Sequence, residues 1–286
     1  MFFFIIFMFS LLFFKNMFYS WMTMEILTLI IVFICCKNNN VKNIMKLFYY
    51  LMIHTFLGFI LIYLIMFSYN NNIILLFLCA KLGGFPGMFW MPEIMPFFST
   101  KNFFILLSLP KVYPMLYFFF LEIDNMFLIK VISFFSIFFG AFGSLFSNNF
   151  KTFFTYAGVS QLGFFFLIMM KMKVFLLMLF IGLYFMVLLF FFFKKQKMMN
   201  FLPMMCFLSY GGLPFGLPFY FKYMVILNLG NSIFFFVFVS YYLFIVVFLR
   251  YVWYYKMNKN MDFNKFFYFF ILFFFLFTPL FFFFFM

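Results

Sequence analysis

Charged residues are scarce in this chain, and their scarcity excludes a soluble fold. Only 8% of the 286 residues are charged, whereas 70% are hydrophobic and the mean hydropathy is +1.20. A soluble core of this length cannot hide so many apolar side chains, because the surface of the protein must be wet. The composition therefore predicts an all-α, polytopic membrane protein, since transmembrane helices satisfy their own backbone hydrogen bonds in lipid.

Residues that bind metals or nucleotides are also few. The chain has a single histidine, His54, and four cysteines without a C-x-x-C pair, so we expect neither a disulfide nor a metal centre. It has no nucleotide loop, no quinone-specific motif and no cysteine set for an iron–sulfur cluster. The net charge of +14 comes mostly from loop lysines and not from a polar domain that could bind nucleic acid. We therefore expect no cofactor on this chain.

The N-terminal stretch MFFFIIFMFS resembles neither common kind of targeting segment. It lacks the basic flank of a signal peptide and the Arg/Ser-rich amphipathic pattern of an imported transit peptide. The 68 phenylalanines are typical of A/T-rich codon usage, which points to an organellar genome. We therefore expect a protein that is made inside the compartment where it works.

Polar residues divide the sequence into about eleven predicted transmembrane helices, each of roughly 20 residues. The helices are predicted near 2–14, 17–36, 45–68, 73–98 (broken), 103–121, 126–146, 152–170, 174–193, 201–228 (broken), 232–255 and 264–285. Lysines concentrate in every second loop, which places the N-terminus inside and the C-terminus outside. Because no loop is long enough to fold alone, residues 1–286 are predicted to form a single transmembrane domain.

The segment Cys79–Met95, CAKLGGFPGMFWMPEIM, combines a lysine with a helix break. Lys81 lies within an apolar run, where a charge costs roughly 2.5 to 3.5 kcal/mol. Gly83 and Pro86 follow, and Pro86 has no N–H to donate to the carbonyl of Leu82. Interrupted backbone at membrane depth requires surrounding protein or a water-filled cavity. The segment therefore predicts a hydrated polar site inside a helix bundle.

A second break repeats this arrangement in the other half of the chain. The segment Gly211–Pro218 is followed by Lys222, so a Gly/Pro interruption again accompanies a lysine, as it does at Lys81. Corresponding broken helices in two halves of a chain are typical of inverted-repeat transporters with a site at the membrane midplane. We therefore predict an antiporter-like inverted-repeat bundle with two discontinuous helices.

Two more charged residues lie well inside apolar segments. Lys111 is flanked by Pro110 and Pro114, each of which leaves a carbonyl one turn earlier without its usual helical partner. Glu25 lies within SWMTMEILTLIIVF, near the middle of a predicted helix. Both are candidates for a polar site within the membrane, because intramembrane charges are costly unless they are paired or functional.

The remaining charges and the histidine have less specific patterns. Lys130 and Arg250 lie near predicted helix ends and can extend to the interface as anchors. Glu93 follows Pro92, where either a structural cap or a functional carboxylate fits the pattern. We expect His54 to be a structural hydrogen-bonding residue.

The buried charges suggest a proton relay. Burial destabilises the ammonium form of a lysine and a nearby carboxylate stabilises it, so moving the partner charge can switch proton binding. We hypothesise that Lys81 pairs with Glu25. Lys111 would continue the line centrally, and Lys222 would serve the far half. The alternative is that each lysine merely pairs with a carboxylate to hold the bundle together.

Five ordered segments carry a resemblance to a known family. WMTMEILTL, KLGGFPGMFWMPEIM, KVYP, NNFKTFFTYAGVSQLGFFFL and LSYGGLPFGLPFYFK, spread over 21–222, resemble NADH-ubiquinone oxidoreductase chain 2. That family is the mitochondrially encoded, antiporter-like membrane subunit of respiratory complex I. The resemblance implies that Lys81, Lys111 and Lys222 are the buried lysines of a proton path. It also implies that Glu25 is the family's membrane glutamate at a subunit boundary.

The chain departs from the family pattern at two positions. Many relatives have a histidine where this chain has Met88, and many antiporter-like subunits have one near Gln161. A glutamine can relay a proton through hydrogen bonds but cannot itself titrate. Without those histidines, we expect water and lysine side chains to form the relay.

The resemblance implies a membrane-arm subunit of the proton-translocating NADH:ubiquinone oxidoreductase, in the mitochondrial inner membrane. The N-terminus would lie on the matrix side and the C-terminus on the intermembrane-space side. NADH, FMN, iron–sulfur clusters and ubiquinone would bind partner subunits, and neighbouring antiporter-like subunits would be among those partners. Two alternatives stay open at this point: an Mrp-type cation/proton antiporter subunit, and a non-pumping structural scaffold of the same complex.

Overall fold

A computed structural model describes residues 17–36, 41–67, 70–118, 126–147 and 149–169. All of them belong to Met1–Met172, one of the two compact units of the chain. Within these ranges the protein is all helical and contains no strand. The predicted helices near 2–14 and from 174 onward lie outside the described residues, as do Lys222, Arg250 and the second predicted break. The full count of eleven helices, the inverted repeat and the single-domain organisation therefore stay predictions.

The described part of the chain forms seven α-helices and one short 3-10 helix. They are α1 (Met17–Cys36), α2 (Val41–Met66), α3 (Asn71–Leu82), α4 (Trp90–Ile94), the 3-10 helix Met95–Phe97, α5 (Thr100–Tyr117), α6 (Met126–Phe146) and α7 (Phe150–Met169). The predicted bounds agree with α1 and α6 at both ends, and they differ from those of α2, α5 and α7 by a few residues. Polar residues between the apolar runs were sufficient to locate these ends.

Three of the described helices are long and apolar enough to cross a membrane. The qualifying segments are Phe18–Cys36, Asn43–Met66 and Phe127–Phe146. At a rise of about 1.5 Å per residue, a 20-residue helix is about 30 Å long, which matches the hydrocarbon core of a bilayer. Large apolar side chains such as Phe56 and Phe59 are exposed on α2. Such a face would be unfavourable in water but is compatible with lipid.

The helix interruption predicted at the first lysine is present between α3 and α4. Gly83 ends α3 with a left-handed backbone at φ +82°, which glycine adopts without steric cost. Its N–H donates to the carbonyl of Ala80 at 3.0 Å, and the N–H of Gly84 donates to the carbonyl of Cys79 at 2.9 Å. This paired arrangement is a Schellman motif, which satisfies carbonyl groups that the broken helix would otherwise leave without partners.

The end of the interrupted segment is attached to α7 through a lysine. The Lys151 ammonium donates to the carbonyl of Pro96 at 3.3 Å and also to the carbonyl of Phe98. Both carbonyls belong to the end of the 3-10 helix, where no further helical turn can satisfy them. Lys151, predicted as a loop charge, is the second residue of α7. Its two hydrogen bonds give it a structural role at the end of the interrupted segment.

Helices α6 and α7 form the most extensive helix pair among the described elements. Small residues permit the close approach: a Cβ added at Gly140 would lie 2.7 Å from the backbone nitrogen of Ser160. The hydroxyls of Ser136 and Ser144 donate to carbonyls one turn earlier in α6, so buried polar groups are satisfied within the helix. Small residues at helix contacts are typical of packing in membranes.

Candidate functional site

A buried ion pair joins α1 to the end of α3. The Lys81 ammonium donates a hydrogen bond to Oε1 of Glu25, and the two side chains are 1% and 17% exposed. Lys81 lies in the last turn of α3, where the negative end of the helix dipole also favours a cation. The pairing expected from the sequence is therefore present, and the helix break begins two residues after the lysine.

The carboxylate of Glu25 lies against a glycine of α2. A Cβ added at Gly58 would overlap Oε1 of Glu25, so only glycine leaves room for this carboxylate. The carbonyl of Gly58 accepts a hydrogen bond of 2.7 Å from Nε1 of Trp21 on α1. Gly58 thus contacts α1 at two points, the Trp21 indole and the carboxylate that faces Lys81.

Removing the Glu25 carboxylate would leave the buried Lys81 ammonium without its counter-charge. Loss of one member of a buried ion pair typically costs about 3–5 kcal/mol, because desolvation of the remaining charge is no longer offset. An arrangement of this kind can hold a proton on the lysine for as long as the carboxylate remains charged and close. The protonation of Lys81 can therefore change when either partner moves or when the carboxylate is neutralised.

The second predicted site lysine, Lys111, is also buried, at 2% exposure. It lies on α5, which continues through Pro110 and Pro114 and packs against both α1 and α3. The structure thus places Lys111 on the helix beside the two that carry the ion pair. The assignment of Lys81, Lys111 and Glu25 to a proton path stays a prediction, and Lys222 lies outside the described residues.

The sequence patterns did not predict an aromatic cluster that joins α2 to α4, the helix that follows the break. The ring centroids of Tyr50 and His54, one turn apart on α2, are separated by 4.3 Å. Trp90, the first residue of α4, lies 4.9 Å from His54 and 5.8 Å from Tyr50. The spacing of Tyr50, His54 and Gly58 at four-residue intervals places all three on one helical face, and this periodicity was a signal for the cluster.

The expectation that His54 makes structural hydrogen bonds is wrong. His54 is 2% exposed, and across the described helices neither ring nitrogen has a hydrogen-bond partner. The ring is instead enclosed by aromatic neighbours, because its position on α2 faces Trp90 and not a backbone carbonyl.

The other singled-out residues have different environments. Glu93 is exposed in the five-residue helix α4, and no side-chain hydrogen bond caps that helix. Met88 and Gln161 are both buried. Lys130 is partly buried near the start of α6, and its assignment as an interface anchor stays a prediction. In the described ranges, no group of three His, Cys, Asp or Glu side chains could hold a metal ion.

Comparisons with known proteins point to the same family as the sequence motifs. No protein-family model matches the chain. The chain is 30% identical over 171 residues to NADH-ubiquinone oxidoreductase chain 2 of Anopheles gambiae, covering 54% of this chain and 49% of that relative. Identity to the same subunit of Locusta migratoria is 27% over 183 residues, 57% and 53% of the two chains. NADH-quinone oxidoreductase subunit N of Buchnera aphidicola is 36% identical over 106 residues, 32% and 21% of the two chains.

The fold is similar to that of a chain in a solved structure of respiratory complex I from Thermus thermophilus with bound aureothin. The TM-score is 0.64 at 13% identity, over 80% of this chain and 63% of that chain. These findings confirm the predicted resemblance to NADH-ubiquinone oxidoreductase chain 2. The chain spans about half the length of the curated relatives named chain 2 that it matches. Together with the long apolar helices, the similarity indicates a multi-pass membrane protein.

Proposed function

We propose that this chain is a membrane-arm subunit of a proton-translocating NADH:ubiquinone oxidoreductase and moves protons along Lys81, Lys111 and Lys222. The observation that carries the proposal is the buried Lys81–Glu25 ion pair beside an interrupted helix. Similarity to relatives named as subunits of this oxidoreductase supports the assignment.

The pair can act as a gate for one proton. While the Glu25 carboxylate is close and charged, it stabilises the Lys81 ammonium within the low-dielectric bundle. When the carboxylate moves away or becomes neutral, the ammonium loses its counter-charge. The proton can then leave Nζ, and Lys81 becomes a neutral amine. A water or a second amine then accepts that proton, so charge is conserved in the step.

Lys111 is the proposed next acceptor. Pro110 and Pro114 lack N–H groups, so the carbonyl of Leu106 and that of Pro110 cannot receive the usual helical hydrogen bond. Such carbonyls are suitable partners for ordered water between helices. Lys222 would extend the path into the second half of the chain.

The remaining elements of the proposal concern partners and location. NADH oxidation, FMN, the iron–sulfur clusters and ubiquinone would reside on partner subunits, and neighbouring antiporter-like subunits would flank this one. The chain would lie in the mitochondrial inner membrane with its N-terminus in the matrix and its C-terminus in the intermembrane space. The concentration of lysines in alternate loops supports this orientation.

The test is Lys81→Met in the assembled complex. Methionine keeps an unbranched apolar stem but cannot bind a proton, so we expect fewer protons to be pumped per electron from NADH. Lys130→Met is the matched control, because Lys130 is a partly buried lysine near the start of α6 and lies outside the proposed path. It should leave the proton-to-electron ratio unchanged.

Two outcomes would contradict the proposal. A normal ratio in Lys81→Met would show that Lys81 does not carry pumped protons, as in a non-pumping scaffold. Unchanged NADH:ubiquinone oxidation in membranes lacking this chain would exclude the assignment to that complex, and would favour a free-standing cation/proton antiporter.

A further inference from the structure

The aromatic cluster formed by Tyr50, His54 and Trp90 lies close to the Lys81–Glu25 pair. All three cluster residues are buried, with exposures of 0%, 2% and 7%. Nε1 of Trp90 donates a hydrogen bond of 3.1 Å to the carbonyl of Ala80, the residue preceding Lys81. The cluster is thereby attached to the same helix end that carries the lysine.

The same face of α2 contacts the other member of the pair. Gly58, one turn after His54, is the residue against which the Glu25 carboxylate packs. Tyr50, His54 and Gly58 follow one another at four-residue intervals, so they form a continuous line along α2. This line runs from the aromatic cluster to the carboxylate of the ion pair.

Three buried polar atoms of the cluster are left without protein partners. Among the described residues, neither Nδ1 nor Nε2 of His54 nor the hydroxyl of Tyr50 makes a hydrogen bond. A buried polar group without a partner costs about 1–3 kcal/mol. Buried water commonly satisfies such groups, and it needs two to four polar partners to be held. The cluster offers enough polar atoms to bind water, whereas the N–H of Trp90 is already occupied.

The charged groups near the cluster are those of the proposed proton path. The Lys81 ammonium acts electrostatically on His54, and the Glu25 carboxylate acts on Tyr50; the neutral Cys35 thiol is a further titratable neighbour of Tyr50. The titratable neighbours of the two rings therefore come from α1 and α3, in addition to α2 itself. A proton that moves at the ion pair changes the field at His54, and a proton on His54 changes the field at Lys81.

We propose that His54 is a proton-relay residue that exchanges a proton with Lys81 through water bound between His54, Tyr50 and the Lys81–Glu25 pair. In the transfer, an N–H bond of the Lys81 ammonium breaks and an N–H bond forms at one imidazole nitrogen, with water carrying the proton between them. Lys81 becomes a neutral amine and His54 an imidazolium, so the total charge is unchanged. The other imidazole nitrogen can then release a proton, because imidazole binds and releases at two distinct atoms.

This inference rests on the proposed function for its role in pumping, but the coupling itself can be measured separately. The chain contains one histidine, so the full-length protein labelled with ¹⁵N-histidine and purified without a polyhistidine tag gives the signals of a single imidazole. In lipid nanodiscs, we expect magnetisation transfer from water to the His54 ring nitrogens. We also expect their pH profile to differ between the wild type and Lys81→Met.

Lys130→Met is the control for the spectra of Lys81→Met. Lys130→Met removes a lysine from α6 and should leave the His54 pH profile as in the wild type. Absence of transfer from water, or identical pH profiles in the wild type and Lys81→Met, would overturn the proposal. A profile changed equally by Lys130→Met would also overturn it, because the effect would then not be specific to Lys81.

Proton pumping by the assembled complex tests the relay itself. His54→Gln keeps hydrogen-bonding groups but cannot titrate, and we expect it to lower the proton-to-electron ratio as His54→Phe does. If Lys81→Met lowers the ratio but His54→Gln does not, the relay is overturned and the proposed function stands. If Lys81→Met leaves the ratio normal, the proposed function fails, and the nanodisc spectra alone decide whether His54 and Lys81 exchange a proton.

Discussion

Replacing Gly58 by alanine should weaken the Lys81–Glu25 ion pair without changing any charge. A Cβ at this position would lie 2.7 Å from Cδ of Glu25 and would overlap Oε1. Because ordinary contact between carbon atoms is about 3.5–4.0 Å, the carboxylate must move by about 1 Å. Gly58→Ala is therefore a test of the geometry of the pair and not of its chemistry.

The expected loss of stability combines two destabilising effects and one stabilising effect. Lengthening a charge-assisted hydrogen bond from its usual length of about 2.8 Å to about 3.8 Å weakens the attraction by about 1.5 kcal/mol at an effective dielectric constant of about 20. Overpacking adds about 1–3 kcal/mol of strain. Alanine is the better helix former, which returns about 1 kcal/mol. We therefore expect Gly58→Ala to lower the free energy of unfolding by about 1.5 to 3.5 kcal/mol.

The assay is denaturant unfolding of the full chain in lipid, with Thr55→Ala as the control. Thr55 is on the same helix, and its hydroxyl donates only to the carbonyl of Met52 within that helix, at 3.1 Å. The control should change stability by no more than about 0.5 kcal/mol. A Gly58→Ala protein as stable as the wild type would contradict this prediction, because helix propensity would then offset the displacement of the carboxylate.

A double variant identifies the cause of the destabilisation. Glu25→Asp withdraws the carboxylate by one carbon–carbon bond, about 1.5 Å, and so makes room for the alanine methyl group. Combined with Gly58→Ala, it should cost at least about 1 kcal/mol less than the sum of the single changes. Strict additivity would show that the alanine acts elsewhere.

Three further changes test other contacts of the site. Glu25→Gln keeps the shape of the side chain but leaves the Lys81 ammonium without a counter-charge; we expect a loss of about 3–5 kcal/mol in unfolding free energy and fewer protons pumped per electron. Trp90→Phe removes the donor to a backbone carbonyl at the helix break; we expect a loss of about 1 kcal/mol and faster amide exchange between Gly83 and Phe89. Lys151→Met releases two carbonyls after the break; it should lower thermal stability while the proton-to-electron ratio stays normal, and a changed ratio would contradict its structural role.

Local sequence patterns were sufficient to predict much of the described fold. The apolar runs and the polar residues between them predicted the bounds of Met17–Cys36 and Met126–Phe146. Gly83 and Pro86 predicted the interruption after Lys81, because glycine readily adopts non-helical backbone angles and proline lacks the N–H that a continuous helix needs. These properties depend on residues close in sequence, and so a single sequence contains them.

The chemistry of the ion pair was also accessible from the sequence. Intramembrane charges are few, and a lysine buried in lipid needs a carboxylate, which made Glu25 the expected partner of Lys81. The direct contact between their side chains confirms this pairing. Composition and spacing could therefore predict which residues pair, although not how closely they approach.

The surroundings of the ion pair follow from the packing of several helices and not from any one of them. The recess at Gly58, the edge-to-face contact of Trp90 with His54 and the attachment of Lys151 to the end of the broken segment all depend on contacts between separate helices. Those contacts are set by helix rotation and crossing, which the periodicity of one helix does not determine. The apolar helices, the break and the charges could be predicted from the sequence alone, because these are local properties. The packing of helices determined which polar groups lie together.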